Sequence, residues 1–246
     1  MKRKSFLVFM LSLGLLGCSG SDDRSIPLDG GWGDDIYSNS LAIMSYNICH
    51  CSPYVGSGID TPAEINNIAK VLGSKQVDVV LLQEVDSCTT RSLLKDQAKE
   101  LAQLAGFKYY HFFKQKDYQG GGYGVAILSK YELKEIINHQ LPTVIDGQEI
   151  KGNNILGTAK ITVLDEDIYI ATTHLSVTES EQAKQFPKIL EELNKYAGHP
   201  IVLGGDFNSK PSDSIITNWM EAGFKRTNND PNNFTIPSDK PNRELE

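Results

Sequence analysis

The chain has 246 residues, 40% hydrophobic and 22% charged, with 31 acidic against 24 basic side chains. That balance excludes a disordered chain and supplies enough apolar residues for a sizeable core. Its one long apolar run, Phe6 to Leu16, is shorter than the roughly 20 residues that cross a bilayer, which excludes a transmembrane bundle, and its four cysteines are too few for a disulfide scaffold.

Lys2, Arg3 and Lys4 precede that run and Leu15-Leu16-Gly17-Cys18 closes it, the layout of a secretory signal over residues 1–17. A cysteine at the cut resembles the lipobox of bacterial lipoproteins, which makes Cys18 the expected lipidated N-terminus. Ser19-Gly20-Ser21-Asp22-Asp23 opens a polar tether to residue 40. Its Ser/Asp-rich character resembles the stretch that, in one bacterial phylum, sends lipoproteins to the outer face of the outer membrane. The expected location is the cell envelope, anchored to a membrane by lipid on the periplasmic or outer-membrane surface.

Loss of residues 1–17 removes three basic side chains, leaving 21 against 31 acidic ones and a net charge of −10. Such a chain has no broad field to gather polyanions, so nucleic acid is not the favoured partner, although a small phosphate site is compatible with this charge. Cys49, Cys51 and Cys88 then remain. Cys49 and Cys51 are too close for an easy mutual bridge, which leaves a link from one of them to Cys88 as the pairing still open.

Strands and helices then alternate in a single domain, 41–246. Leu41 to Ile48 reads as a strand. Thr61-Pro62-Ala63-Glu64 supplies a cap, a first-turn proline and a capping-box glutamate for a helix to about Gly73. Val77 to Leu82 is almost wholly aliphatic, the composition of a strand covered on both faces. A second helix is predicted over Arg91 to Ala105, with Leu93, Leu94, Ala98, Leu101 and Leu104 on its apolar face and Gly106 as its stop. Lys108 to Phe113 and Gly124 to Leu128 read as strands around Gly120-Gly121-Gly122. Asn154 to Val163 and Asp167 to Thr173 read as a hairpin with acidic turn residues. Thr178-Glu179-Ser180-Glu181 opens a helix to about Tyr196, Pro200 to Leu203 is a buried strand, and Ser212 caps a short last helix through Met220. The sum is a layered α/β domain.

Four apolar strands end in polar residues: Asn47, Glu84, His174, and the Gly205-Asp206-Phe207-Asn208 turn. Singly, each has an ordinary reading: a solvated strand end, a turn, a core histidine. Together they set two carboxylates, two carboxamides and an imidazole at strand mouths, where side chains distant in sequence converge. The ordered set Asn47, Glu84, Gly122-Tyr123-Gly124 with Ile127-Leu128-Ser129, His174 and Asp206-Phe207-Asn208 resembles the endonuclease/exonuclease/phosphatase superfamily. Gln83-Glu84-Val85-Asp86, Thr90-Arg91-Ser92 and Asp96-Gln97 resemble a branch of secreted bacterial members.

The resemblance implies a DNase I-like four-layer sandwich, two mixed β-sheets flanked by helices, and a metal-dependent phosphoesterase that hydrolyses a phosphodiester by metal-assisted attack of water. Mg2+ is the implied metal, with Mn2+ as substitute, because a hard cation needs few protein oxygens. Glu84 is its implied ligand, with Asn47 beside it. Asp206 orients or deprotonates the water, Asn208 holds Asp206 or a phosphoryl oxygen, and His174 donates to the phosphoryl group. Zinc is the second choice, since Cys49-His50-Cys51 lacks a tetrahedral ligand set. For substrate binding, Arg91 is read either as a phosphate clamp or as the start of a solvated helix. Tyr123 faces the cleft or packs in its strand, and His50 shares the site mouth. A monomer acting on a phosphate ester is expected.

Family members close with an Asp-Tyr strand and a Ser-Asp-His segment, and neither is present. Phe234 to Pro241 resembles the approach to the first, which puts Glu246 roughly at the position of an aspartate that orients a histidine. The expectation is a catalytic fold short of its C-terminal strands, with an uncovered sheet edge. The alternative is a non-catalytic surface lipoprotein that uses the same fold to bind a phosphorylated ligand or glycan.

Overall fold

A computed structural model describes residues 40–52, 64–145, 148–227, 234–236 and 241–246. The signal and tether, Cys18 among them, and the Thr61-Pro62-Ala63 helix start lie outside these. The elements in chain order are β1 (Ile43–Asn47), α1 (Ile65–Ser74), β2 (Val79–Ser87), α2 (Gln97–Ala105), β3 (Tyr109–Tyr118), β4 (Gly121–Ser129), β5 (Lys134–Ile145), β6 (Gln148–Val163), β7 (Glu166–His174), α3 (Glu179–Asn194), β8 (Ile201–Asp206) and α4 (Ser214–Glu221).

Alternation along β2 explains the layering. Val79 and Leu81 point to one side and Val80 and Leu82 to the other, and all four are fully buried. Val80 and Leu82 meet α1 and α2 through Ile65, Leu72, Ala98 and Leu101. Val79 and Leu81 join Ile43, Phe113 and Ile127 against Ile155, Ile161, Ile170 and Val202 of the other sheet. A third core places Leu156, Ala171 and Leu203 beneath Ile189, Leu193, Ile216 and Trp219 of α3 and α4. Two helical layers thus enclose two sheets packed face to face.

Both sheets are mixed and four-stranded, in the orders β1-β2-β4-β3 and β5-β6-β7-β8. Each has one parallel pair, β1 with β2 and β7 with β8. The parallel pairs lie against one another, β1 on β8 and β2 on β7 and β8, and Asn47 and Asp206, the last residues of β1 and β8, touch, so the carboxyl ends open on the same side. This is the architecture that the resemblance implies. The chain end runs beside the last strand: Phe207 N–H donates to Glu246 O at 2.7 Å and Glu246 N–H to Ser209 O at 2.8 Å.

The main departure concerns the second helix. It starts at Gln97, capped by Asp96, whose carboxylate accepts from Lys99 N–H at 3.2 Å. Residues 88–95 instead form a loop pinned at its base, Cys88 N–H to Lys95 O at 2.8 Å. Leu93 and Leu94, assigned above to the helix's apolar face, take φ of 55° and 57° and are 61% and 64% exposed. Polar contacts of Asp86, described below, fold this segment more strongly than its periodicity does. β5 escaped the sequence reading because Pro142 interrupts it. An edge strand with a bulge between Gln140 and Pro142 accommodates that proline. Thr178 and Asp213 cap α3 and α4 without a side-chain cap bond, the second one residue after the expected Ser212. No disulfide joins Cys49, Cys51 and Cys88: Cys51 is buried under α1 and α2 while Cys88 is exposed.

Candidate functional site

Glu84 owes its direction to a bulge. Leu82 pairs with Ala126 and Val85 with Gly124, so three steps on β2 oppose two on β4, and Glu84 takes φ 56°. Bulges of this kind re-aim a side chain. Asn47 ends β1 opposite Gln83, and His174 and Asp206 end β7 and β8 opposite one another. Gly205 makes the last pairing feasible: a Cβ there would stand 2.1 Å from Thr173 O.

The side chains meet across the two sheets. Asn47 Nδ2 donates to Glu84 Oε1 at 2.8 Å and to Asp206 Oδ2 at 2.9 Å. His174 Nε2 stands 3.8 Å from the same Asp206 oxygen, within ion-pair range and too long for a hydrogen bond. Asn208, at φ 50°, donates its backbone N–H to Asp206 Oδ1 at 2.8 Å and its amide to Leu175 O at 2.9 Å. Of the two roles expected for Asn208, holding Asp206 thus falls to its backbone.

A tight turn follows β1, with Cys49, His50 and Cys51 all at positive φ. Cys49 N–H donates to Asn47 Oδ1 at 3.0 Å. The Asn47 amide is thereby fixed with its oxygen on the backbone and its nitrogen on the carboxylates. Asn47, expected beside the metal, thus sits next to Glu84 and orients it. Gln97 Nε2 holds His50 O at 2.6 Å, while its oxygen accepts Asp86 N–H at 2.8 Å. Cys51 belongs to the core, and burial pushes its thiol up to about 12. Cys49, His50 and Glu84 each present one donor atom within 4.8 Å of the others. His50 is buried, with a ring nitrogen beside the Glu84 carboxylate.

Arg91 does not begin a helix. It lies in the 88–95 loop with its fork on Asp86, Nε at 2.7 Å and Nη2 at 2.8 Å, and its guanidinium stacks 4.4 Å above the Tyr118 ring. One edge of the guanidinium is thereby taken by a carboxylate. Asp86 is fully buried and also accepts from Thr89 Oγ1 at 2.7 Å and Ser92 Oγ at 2.5 Å. Burial raises its carboxyl, but these hydrogen bonds, Arg91's foremost, and the Arg91 charge outweigh it and hold the group below the ordinary range. Tyr123 pairs in register with Asp86, half-buried; burial and then the Glu84 charge push its phenol upward. Asp86 and Gln97 are the residues whose positions the sequence reading did not assign. Their signal is an acid followed within six positions by two hydroxyls and an arginine. Glu246, placed above on an aspartate that orients a histidine, pairs with Arg226 instead.

The model of the Endonuclease/Exonuclease/phosphatase family matches residues 44–243. The chain belongs to this family. No curated protein sequence matches it. Among solved structures, an endonuclease/exonuclease/phosphatase from Beutenbergia cavernae superposes with TM-score 0.57 at 23% identity over 70% of this chain. The chain spans 48% of that protein, about half its length. The human Nocturnin catalytic domain with bound sulfate gives 0.56 at 20% identity, covering 73% of this chain and 68% of that one. A mannosyl-6-phosphatase from Bacteroides thetaiotaomicron gives 0.60 at 15% identity, covering 75% and 71%. At these identities the superpositions establish the shared fold, and with it the endonuclease/exonuclease/phosphatase sandwich as the frame of the site.

Proposed function

We propose that the chain is a divalent-metal-dependent phosphoesterase that hydrolyses a phosphodiester, exported and anchored through Cys18. The observation that carries this reading is the Asn47 amide between Glu84 and Asp206, with His174 beside Asp206 and the groups drawn from both sheets. Two carboxylates on one nitrogen suit a cation in their midst, since like charges this close otherwise repel. Mg2+ or Mn2+, when bound, would neutralise phosphoryl charge and polarise water. Glu84 would hold it, oriented by Asn47.

Asp206 accepts the proton of the attacking water. Its Oδ1 is fixed by Asn208 N–H, so Oδ2, shared with Asn47, faces the reaction. His174 donates to a phosphoryl oxygen as charge grows there. Arg91 and Asp86 position the loop and Tyr123 rather than touch substrate. A Nocturnin domain with bound sulfate and a protein named a mannosyl-6-phosphatase share this fold, which agrees with a phosphate ester as substrate.

The test is turnover of bis-(p-nitrophenyl) phosphate by the mature chain with and without Mg2+ or Mn2+, beside Glu84→Ala and Asp206→Ala. Metal-dependent turnover that falls about 10²–10⁴-fold in both variants is expected. Folded protein that binds phosphorylated ligands but never turns them over sinks the enzyme reading in favour of the binding one.

A further inference from the structure

We infer that Cys49, His50 and Glu84 form a binding site for a thiophilic divalent ion, Zn2+ in preference to Mg2+. One thiol, one imidazole and one carboxylate converge within 4.8 Å. Three protein ligands of these types with a fourth position open are a zinc arrangement, whereas magnesium prefers oxygen donors and retains its waters. The inference rests on Glu84, which it shares with the phosphoesterase reading, so Zn2+ here competes with the Mg2+ or Mn2+ proposed there for one carboxylate. It stands or falls on binding, without reference to turnover.

The backbone brings these donors together. Cys49, His50 and Glu84 have φ of 45°, 45° and 56°, in the left-handed region that side chains rarely adopt. Three such residues, from a turn and a bulge in two separate segments, turn their donor atoms toward one another. Dedicated bonds hold this arrangement: Asn47 Oδ1 on Cys49 N–H, Gln97 Nε2 on His50 O, and the β2 bulge under Glu84. The turn also sorts its two thiols. Cys51 goes into the helical core, while Cys49, partly accessible, stays with the carboxylate. On binding, the Cys49 thiol releases its proton to solvent and its sulfur takes the metal as a thiolate; no electrons are exchanged.

The test uses the reduced, metal-stripped full chain with Co2+ as a spectroscopic stand-in for Zn2+. One equivalent of Co2+ is expected to give a near-ultraviolet thiolate-to-cobalt charge-transfer band that Zn2+ abolishes and excess Mg2+ leaves intact. Cys49→Ser should lose the band and bind Zn2+ at least about tenfold more weakly, while Cys88→Ser keeps both. Alkylation followed by peptide mapping of the unmutated chain covers the case in which Cys49→Ser does not fold: Zn2+ should protect Cys49 but not Cys88, and Mg2+ should protect neither. A band or zinc affinity unchanged by Cys49→Ser, or Cys49 alkylated equally with and without Zn2+, overturns the inference. Magnesium-supported turnover without any cobalt band leaves the phosphoesterase reading standing and removes this one; a cobalt band without turnover does the reverse.

Discussion

The side-chain amide of Asn47 donates to the Asp206 carboxylate at 2.9 Å across 159 positions of sequence, and the same nitrogen reaches Glu84. One donor therefore ties the two sheets together at their open ends and separates two negative charges. Asn47→Asp removes the donor and adds a third carboxylate. In chelator this should cost about 1–3 kcal/mol of stability, lowering the melting temperature by roughly 2–4 °C per kcal/mol in a protein of this size. Mg2+ or Mn2+ should restore the variant by more than it raises the parent, because the cation binds only the folded cluster. Melting curves with and without metal decide this; identical curves in chelator would mean that the amide holds nothing together.

Leu93 and Leu94 separate the helix predicted over Arg91 to Ala105 from the loop that the structure has. On a helix's apolar face each would lose about 2–5 kcal/mol on truncation. Exposed and at positive φ, Leu94→Gly should instead be neutral or stabilising by up to about 1 kcal/mol. Leu101→Ala, at a fully buried position of α2, should show the full loss. Urea unfolding of the two variants gives the comparison, and a Leu94→Gly loss close to that of Leu101→Ala would contradict the loop.

These contrasts show what a sequence can reveal here. β2 was legible because an unbroken aliphatic run buried on both faces has few alternatives, and the order of polar strand ends pointed to Asn47, Glu84, His174 and Asp206 together. The sign of φ leaves no periodic trace, so the turn through Cys49 and His50 and the bulge at Glu84 were invisible. The Asp86 network was hidden for a related reason: hydroxyls and a guanidinium spaced three, five and six positions from a carboxylate fit neither helix nor strand. Its pull on residues 88–95 displaced the start of α2. β5 was lost to Pro142, whose penalty in a central strand vanishes at a sheet edge.

Gly205 sits one residue before Asp206, against the Thr173 carbonyl of the neighbouring strand. A methyl group there would meet backbone at 2.1 Å, and a backbone cannot swing aside as a side chain can. Gly205→Ala should therefore cost at least about 2 kcal/mol, in the upper part of the overpacking range. Gly106→Ala serves as its counterpart: φ is 83° but nothing lies within 4 Å of the added carbon, so about 1 kcal/mol of backbone strain is the whole penalty. Thermal melts of both variants measure the difference, and equal losses would show that the close approach of β7 and β8 is relieved elsewhere.

Asp86 supplies the pH dependence. Its carboxyl lies below the ordinary range in the folded chain despite its burial, because Arg91, Ser92 and Thr89 all donate to it. A depressed folded pKa means that the unfolded chain binds the proton more readily. Its stabilising contribution is thus complete above the unfolded value of about 3.9 and disappears as pH falls through the lower folded one. Asp86→Asn keeps the shape but leaves the Arg91 guanidinium, 13% exposed, without its counter-charge. The loss should be about 3–5 kcal/mol at pH 7. The same gap should persist at pH 5 and shrink toward pH 3 and below, as protonation brings the parent carboxyl closer to the amide. Urea midpoints of parent and variant at the three pH values test the sign, and a gap that widens with acid would place the stabilisation somewhere other than this carboxylate.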